Sequence, residues 1–319
     1  MAPFAPGCCS LRRSSLCASA QFFRPPAVFF LTVLVFCVMS ALGFIPSPPH
    51  GIVQIGPLPL HAYGLMLALG VLAAVKVAEV RWKRMGNDPK DIATIAIPVV
   101  IAGVIGARVY HLFTGYKWSQ GVWGAFEIWH GGLSIWGAVG AGAIAVWVVG
   151  RRHKLDVLRL MDAMAPGVVL AQAIGRWGNY FNQELFGRPT TLPWALEISR
   201  AHRPAGYEAY KTFHPTFLYE SLWCLIIFGT LLWAERHFSF KRGQTFTLYV
   251  AMYTFGRIWF EWLRIDEASK IFGIRFNLLL SAVICVLAIV WFVGLGRRPV
   301  PEGESGSSRI EEGSPPSVG

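Results

Sequence analysis

Charged residues are scarce in this sequence. Only 15% of its 319 residues are Asp, Glu, Lys or Arg, whereas a typical soluble domain contains about 25%. Hydrophobic residues make up 54% and fall into runs of roughly 20 residues, each long enough to cross a hydrocarbon core about 30 Å thick. The composition therefore excludes a water-soluble globular protein and predicts an all-α polytopic membrane protein.

Cysteine patterns typical of metal sites or disulfide frameworks are also missing. The six cysteines include no CxxC pair with a matching partner, and no His lies at metal-ligand spacing from them. The net charge of +11 does not indicate nucleic-acid binding, because the basic residues lie in short loops, where Lys and Arg orient membrane spans. We therefore expect no metal, no cofactor and no nucleic acid.

About seven apolar runs are expected to cross the lipid bilayer. Alternate loops, beginning with the one that contains Arg81 and Lys83, are rich in Lys and Arg. By the positive-inside rule, the segment before the first span lies outside and the C-terminus is cytoplasmic. The predicted spans are residues 59–80, 92–113, 133–149, 157–173, 216–234, 246–263 and 276–295.

The two ends of the chain lie outside this predicted transmembrane domain of residues 45–296. Residues 27–44 are apolar and follow three arginines, as in a signal sequence or signal anchor. A cleaved segment, a start at Met39 and a genuine eighth helix remain open, because an extra helix with its N-terminus inside also satisfies the positive-inside rule. Residues 297–319 are rich in Gly, Ser, Pro and Glu, which predicts a disordered cytoplasmic tail.

Ionisable residues inside apolar helices are costly, so each is a candidate functional residue. Arg108 lies 17 residues after Asp91, and Arg176 lies about 20 residues beyond the cytoplasmic end of its helix, which brings both to the outer boundary. Guanidinium stays charged and presents paired donors that match phosphate oxygens. Arginines at this depth therefore favour a phospholipid substrate over simple snorkelling to the interface.

A second group of polar residues is predicted at the same outer level. Tyr253, Arg257 and Glu261 recur at intervals of four and therefore share one helix face. Tyr63 begins the first span, and His214 stands just before the fifth. A lipid transporter or flippase is the alternative function, but it would distribute polar groups along a path through both leaflets. Their gathering at one face favours an enzyme.

The stretch GRWGNYFNQELFGR, residues 175–188, resembles the signature segment of the phosphatidylglycerol:prolipoprotein diacylglyceryl transferase family. The segments GARVYHLF (106–113), HPTFLYE (214–220) and YTFGRIWFEWLR (253–264) are similar to further family segments in the same order. The resemblance covers residues 45–295 and implies transfer of an sn-1,2-diacylglyceryl group from phosphatidylglycerol to the lipobox cysteine of a prolipoprotein signal peptide. It also implies a multi-pass protein of the bacterial plasma membrane.

The resemblance also implies the residues that act on these substrates. The extracytoplasmic loop 188–213 is expected to receive the signal peptide. The candidate catalytic residues are Arg257, Glu261, Tyr63, Glu184 and His214. The candidate phosphatidylglycerol-binding residues implied in this way are Arg176, Asn179, Gly187 and Tyr253. We add Asn182, which is expected to orient the headgroup, and Arg108, from its expected depth.

The sequence departs from the family at Trp136, where many members have a catalytic His followed by two glycines. His130 lies six positions earlier, nearly on the opposite side of a continuous helix, and could replace it only if Gly131 and Gly132 break the helix. Three ways of activating the substrate thiol are therefore open. Glu261 accepts the proton, or Glu261 only orients Arg257, or the positive field of the arginines alone lowers the thiol pKa.

Overall fold

The computed structural model describes residues 44–48, 51–55, 58–114, 121–124, 132, 134–266, 268 and 270–297. The predictions made for most of the N-terminal segment and for the C-terminal tail fall outside these residues. His130 and Gly131 also lie outside them.

Seven long helices make up most of the described residues. Five of them, the first, second, fourth, fifth and seventh, are long and apolar enough to cross a membrane. The prediction of a largely helical membrane protein is thereby confirmed, whereas the count of seven spans stays a prediction. The helices are α1 Ala62–Arg84, α2 Lys90–Thr114, α3 Ile135–Arg152, α4 Val157–Asn182, α5 Thr216–His237, α6 Gln244–Leu263 and α7 Phe276–Arg297.

Large apolar side chains cover the outside of the helices. Val286 and Val290 of α7 are 61% and 64% exposed, and Ile97 of α2 is 67% exposed. A contiguous apolar surface of this kind is unfavourable in water. In a bilayer it faces acyl chains, so the exterior agrees with a membrane location.

Helix α4 lies at the centre and packs on α1, α5 and α6. Its buried residues Ala165, Val169 and Ala173 form one apolar cluster with Ile227 and Leu231 of α5. Small residues allow membrane helices to approach closely. Helices α2 and α3 form a second pair, which meets the central group through α1 and α4.

Three short antiparallel hairpins, which the sequence analysis did not predict, lie between or before the helices. The first pairs β1 Ile52–Ile55 with β2 Leu58–His61. Because residues 58–61 form β2, α1 begins at Ala62 and not at the predicted residue 59. The other two pair β3 Leu196–Glu197 with β4 Thr212–Phe213, and β5 Lys270–Ile271 with β6 Ile274–Arg275.

Helix α4 also continues beyond its predicted span, which ended at residue 173, to Asn182. Asp156 caps its N-terminus by accepting hydrogen bonds from two backbone N–H groups, and Gln183 ends it in the left-handed conformation with φ 52°. The added turns are stabilised by aromatic contacts, since the Trp177 and Tyr180 rings lie 5.5 and 5.1 Å from the Phe217 ring. The extension places most of the family-like signature on a rigid helix.

Candidate functional site

Arginines and carboxylates from three helices form one buried network. Glu220 of α5, whose side chain is 4% exposed, accepts from two arginines through the same oxygen. Its Oε2 lies 2.7 Å from Arg176 Nη2 of α4 and 3.0 Å from Arg257 Nη1 of α6. Arg176 Nη2 also donates to the Tyr253 hydroxyl at 3.3 Å. The structure thus joins Arg176 and Arg257 through a carboxylate and brings Tyr253 to Arg176.

Glu261 lies at the far side of Arg257 and is completely buried. Its Oε2 accepts from Arg257 Nη2 at 2.7 Å, and its Oε1 accepts from Arg275 Nε at 3.0 Å. Arg264 Nη1 lies 3.7 Å from Oε2, and Asn277 Nδ2 donates to Oε1 at 3.4 Å. Each oxygen of Glu261 therefore faces an arginine, so this carboxylate fixes the orientation of Arg257.

Asp266 closes the network just beyond α6. It accepts from Arg264 Nε at 2.7 Å and from Arg275 Nη2 at 3.2 Å. Burial alone would raise the pKa of Asp266, but the hydrogen bonds and charges of Arg264 and Arg275 outweigh burial and hold it below its ordinary value. The whole network contains four arginines and three carboxylates, and its excess positive charge makes it an environment for an anion.

Amide and carboxylate groups at the end of α4 form a second, adjacent set. Glu184 Oε1 accepts from Asn179 Nδ2 at 2.9 Å and from Asn182 Nδ2 at 3.2 Å. The ring of Tyr63 from α1 lies against Gly178, where an added Cβ would be only 2.6 Å from Tyr63 Cδ2. The glycine therefore allows the Tyr63 ring to lie directly on the signature segment.

A contact between Gly187 and His214 links the segment that follows α4 to the segment that precedes α5. The backbone N–H of Gly187 donates to the carbonyl oxygen of His214 at 2.9 Å. The His214 Nδ1 atom lies 3.2 Å from the hydroxyl of Tyr219, which accepts from Trp194 Nε1 at 2.9 Å. Burial lowers the pKa of His214 below its ordinary value of 6.5, so this imidazole is neutral at pH 7.

Arg108 contacts a different part of the molecule. It donates to the carbonyl oxygens of Gly124 at 2.6 Å and Gly132 at 3.2 Å, in the connection between α2 and α3. These contacts hold the backbone of that connection in place, whereas Arg176 and Arg257 both form ion pairs with Glu220. These two hydrogen bonds of Arg108 therefore lie in the connection between α2 and α3.

Helix α3 begins only at Ile135. Gly132 has φ +71° and Ser134 is extended, so the backbone is not helical at these two residues. The glycine position Gly132 therefore does not continue α3, which is the condition under which His130 could approach the position of Trp136. His130 itself lies outside the described residues.

Sequence reasoning missed Glu220, Arg275 and Asp266 as members of the network. Glu220 lies four residues into an apolar helix, which by the cost of burying a carboxylate in a membrane should have marked it as a candidate. Arg275 and Asp266 lie in the connection between α6 and α7, where a charged residue carries no such signal. Only the tertiary fold brings them to Glu261.

Comparison with known proteins gives a consistent result. The family model described as prolipoprotein diacylglyceryl transferase matches residues 50–294. The phosphatidylglycerol–prolipoprotein diacylglyceryl transferase 2 of Streptomyces coelicolor is 49% identical over 79% of this chain and 81% of its own length. The corresponding proteins of Streptomyces griseus, 47% identical over 79% of this chain and 78% of the relative, and Frankia alni, 49% identical over 80% and 68%, are similarly related.

Proposed function

Because the chain belongs to the prolipoprotein diacylglyceryl transferase family, we propose that it transfers the sn-1,2-diacylglyceryl group of phosphatidylglycerol to a lipobox cysteine in the bacterial plasma membrane. The observation that supports this function best is the buried network around Glu220 and Glu261, which holds Arg176 and Arg257 in fixed positions. This network adjoins the signature segment and has the excess positive charge that a phosphodiester requires.

The reaction forms a carbon–sulfur bond and breaks a carbon–oxygen bond. The cysteine thiolate attacks the glyceryl carbon that is esterified to phosphate, and glycerol phosphate leaves with the electron pair of the C–O bond. Negative charge therefore grows on the departing phosphate, and pre-oriented arginines stabilise it without reorganisation. We assign this role to Arg176 and Arg257, which two carboxylates hold in place.

The remaining site residues divide between headgroup binding and thiol activation. We assign Asn179, Asn182 and Tyr63 to orienting the glycerol headgroup. Since both oxygens of Glu261 face arginines, we assign Glu261 to positioning Arg257 and assign the lowered thiol pKa to the positive field of the network. Glu184 and neutral His214 are then the candidate acceptors for the thiol proton.

Entry of the protein substrate is proposed at the outer ends of the helices. Gly187 begins a segment that is hydrogen-bonded to both His214 and the end of α6, so the loop 188–213 is attached directly beside the arginine network. A signal peptide bound by this loop would present its cysteine at headgroup level. This arrangement requires the loop 188–213 to lie outside and the C-terminus to be cytoplasmic.

A defined transfer assay tests the proposed function. Purified protein is incubated with phosphatidylglycerol vesicles and a lipobox peptide, and the peptide mass is measured. We expect the mass of one diacylglyceryl group to be added, with release of glycerol phosphate. The matched controls are the same peptide with Ser in place of Cys and vesicles of phosphatidylcholine, and neither should react. Modification of the Ser peptide, or no modification of the Cys peptide, would contradict the assignment.

A further inference from the structure

A short segment before the first hairpin, residues 45–48, packs against the connection between α4 and α5. The Ile45 N–H donates to the carbonyl oxygen of Ala195 at 2.7 Å, and the Ile45 carbonyl oxygen accepts from the Glu197 N–H at 2.8 Å. The Ile45 side chain is buried and lies in one apolar cluster with Phe213. These residues, which we call the N-terminal strap, are therefore held in place both by backbone hydrogen bonds and by packing.

The side chain of Gln183, the residue that ends α4, contacts this strap. Its Nε2 donates to the carbonyl oxygen of Pro48 at 3.2 Å, and its Oε1 accepts from the backbone N–H of Ser199 at 2.9 Å. The Ser47 hydroxyl lies 2.9 Å from the same Oε1 and 2.7 Å from the Glu197 carbonyl oxygen, so its one hydrogen is shared between them. One buried amide therefore joins the strap, the end of α4 and the connection between α4 and α5.

The backbone conformation at the end of α4 favours a different residue type. Gln183 has φ 52°, in the left-handed region where Gly is the usual helix-ending residue and Asn the next. Gln has a Cβ that this conformation disfavours. Its amide, however, makes hydrogen bonds that Gly could not make. The contacts of the side chain, and not the conformation of the turn, therefore account for Gln at this position.

Gln183 stands between two residues of the amide and carboxylate set at the end of α4. Asn182 and Glu184 are exposed, whereas Gln183 is buried. The Glu184 N–H donates to the carbonyl oxygen of Asn179 at 3.1 Å, so the turn at Gln183 brings Glu184 back over the last turn of α4. The placement of these two exposed polar residues therefore depends on the turn at Gln183.

Two more contacts hold the chain before α1 against the last turn of α4. The Tyr180 hydroxyl donates to the carbonyl oxygen of Pro46 at 3.0 Å. Gly51 passes so close to α4 that an added Cβ would lie 2.9 Å from the Phe181 carbonyl oxygen. The strap and the residue that begins the first hairpin therefore meet α4 at several points, of which Gln183 is the one beside the exposed polar residues.

We propose that Gln183 is a positioning residue for phosphatidylglycerol and that the N-terminal strap acts on the site through it. The inference rests on the proposed function, in which Asn179 and Asn182 orient the glycerol headgroup. With the buried amide in place, Asn182 and Glu184 keep one arrangement, and the headgroup meets polar groups that are already oriented. Without the amide, the turn adopts other conformations that binding must order, which weakens the affinity for the lipid.

The dependence of the transfer rate on the donor lipid tests this role. Full-length protein is assayed in mixed micelles in which the mole fraction of phosphatidylglycerol is varied at a saturating concentration of lipobox peptide. We expect Gln183→Ala to raise the KM for phosphatidylglycerol by roughly 10-fold, because the hydrogen bonds that hold the turn are lost, and to change kcat by less. A residue needed only for stability would instead lower the amount of folded enzyme, and thus the apparent kcat, at an unchanged KM.

The milder substitution Ser47→Ala tests the part of the N-terminal strap. It removes one shared hydrogen bond to Gln183, so the KM for phosphatidylglycerol should rise by about 2- to 3-fold. The double variant Ser47→Ala/Gln183→Ala should have the same KM as Gln183→Ala, because residues that act through one contact are not additive. A wild-type KM for Ser47→Ala, or additive effects in the double variant, would overturn the part assigned to the strap.

The matched control is Gln244→Ala at the start of α6. Gln244 is 7% exposed and Gln183 is 9% exposed. The Gln244 side chain also bonds two backbone groups, accepting from the Lys241 N–H at 2.7 Å and donating to the carbonyl oxygen of Phe292 at 3.2 Å. It lies 13 residues before Arg257 on α6, about 20 Å along the helix, so Gln244→Ala should keep the wild-type KM.

Three outcomes of these assays contradict different statements. An unchanged KM for Gln183→Ala, or an equal rise in KM for Gln244→Ala, would overturn the positioning role of Gln183. Absence of transfer by the wild type would contradict the proposed function itself, on which this role rests.

Discussion

Glu261 is a fully buried carboxylate whose two oxygens face different arginines. Removing one member of such a buried charged set is strongly destabilising to the set, because the remaining charges lose their compensation. The described contacts thus hold Arg257 between Glu261 and Glu220, in agreement with the proposed positioning role of Glu261. A general base, in contrast, needs an oxygen available to the thiol.

The substitution Glu261→Gln separates these roles by pH. We expect transfer to fall by on the order of 100-fold and the defect to be equal at pH 7 and pH 9, because the lost function is orientation. If Glu261 were the base, activity would recover toward pH 9, where a free thiol with pKa about 8.5 ionises by itself. The measurement is the transfer rate of variant and wild type at both pH values.

Spacing along one helix predicted the contact between Arg257 and Glu261, because residues four apart share a helix face. The same reasoning could not find Arg275, which reaches Glu261 from the end of β6 at a sequence separation of 14. Glu220 was within the family-like segment at 214–220, yet its bridging position between Arg176 and Arg257 depends on how α4, α5 and α6 pack.

At the scale of elements, the contact between α2 and α3 depends on the close approach of Gly137 to Gly106. A Cβ on Gly137 of α3 would overlap the carbonyl oxygen of Gly106 of α2, whereas a Cβ on Gly140 would meet nothing within 4 Å. Gly137 and Gly140 both lie on α3. Gly137 is therefore required for close approach, and Gly140 is not.

Alanine substitutions at Gly137 and Gly140 should have different effects on stability. Gly137→Ala should lower the free energy of unfolding by about 1–3 kcal/mol, because the helices must separate. Gly140→Ala should leave it unchanged or raise it by up to about 1 kcal/mol, because Ala favours the helix. Thermal unfolding in detergent measures both. Equal effects of the two variants would contradict the packing described for α2 and α3.

Apolar runs predicted the existence and order of all seven long helices, since hydrophobicity over about 20 residues is a strong signal. They did not predict the hairpin Ile52–His61, because two four-residue strands carry no comparable periodicity. Nor did they predict the last turns of α4, which contain Trp177 and Tyr180 and depend on contacts with Phe217.

At the scale of the whole molecule, the proposed function predicts one orientation in the membrane, with the arginine network at the outer ends of the helices. Reporter tags after Arg152 and after Arg298 should both lie in the cytoplasm, and a tag near Tyr207 should lie outside. Compartment-specific fluorescence or alkaline phosphatase activity measures the location of each tag. An exterior signal after Arg298 would contradict the seven-span topology.

Paired charges give the candidate site its character at the scale of the whole molecule. Arg176 and Arg257 are buried and paired with carboxylates, and positive groups fixed in this way suit a reaction that develops charge on a departing phosphate. The central claim is the proposal that Arg176 binds the phosphate of the lipid donor.

The transfer rate of Arg176→Lys tests that claim most directly. Lys keeps the positive charge beside Glu220 but cannot present the paired donors of a guanidinium to phosphate. We expect the purified variant to keep the thermal stability of the wild type to within a few degrees and to transfer diacylglyceryl on the order of 100-fold more slowly. A folded Arg176→Lys protein that modifies the lipobox peptide at nearly the wild-type rate would contradict the account.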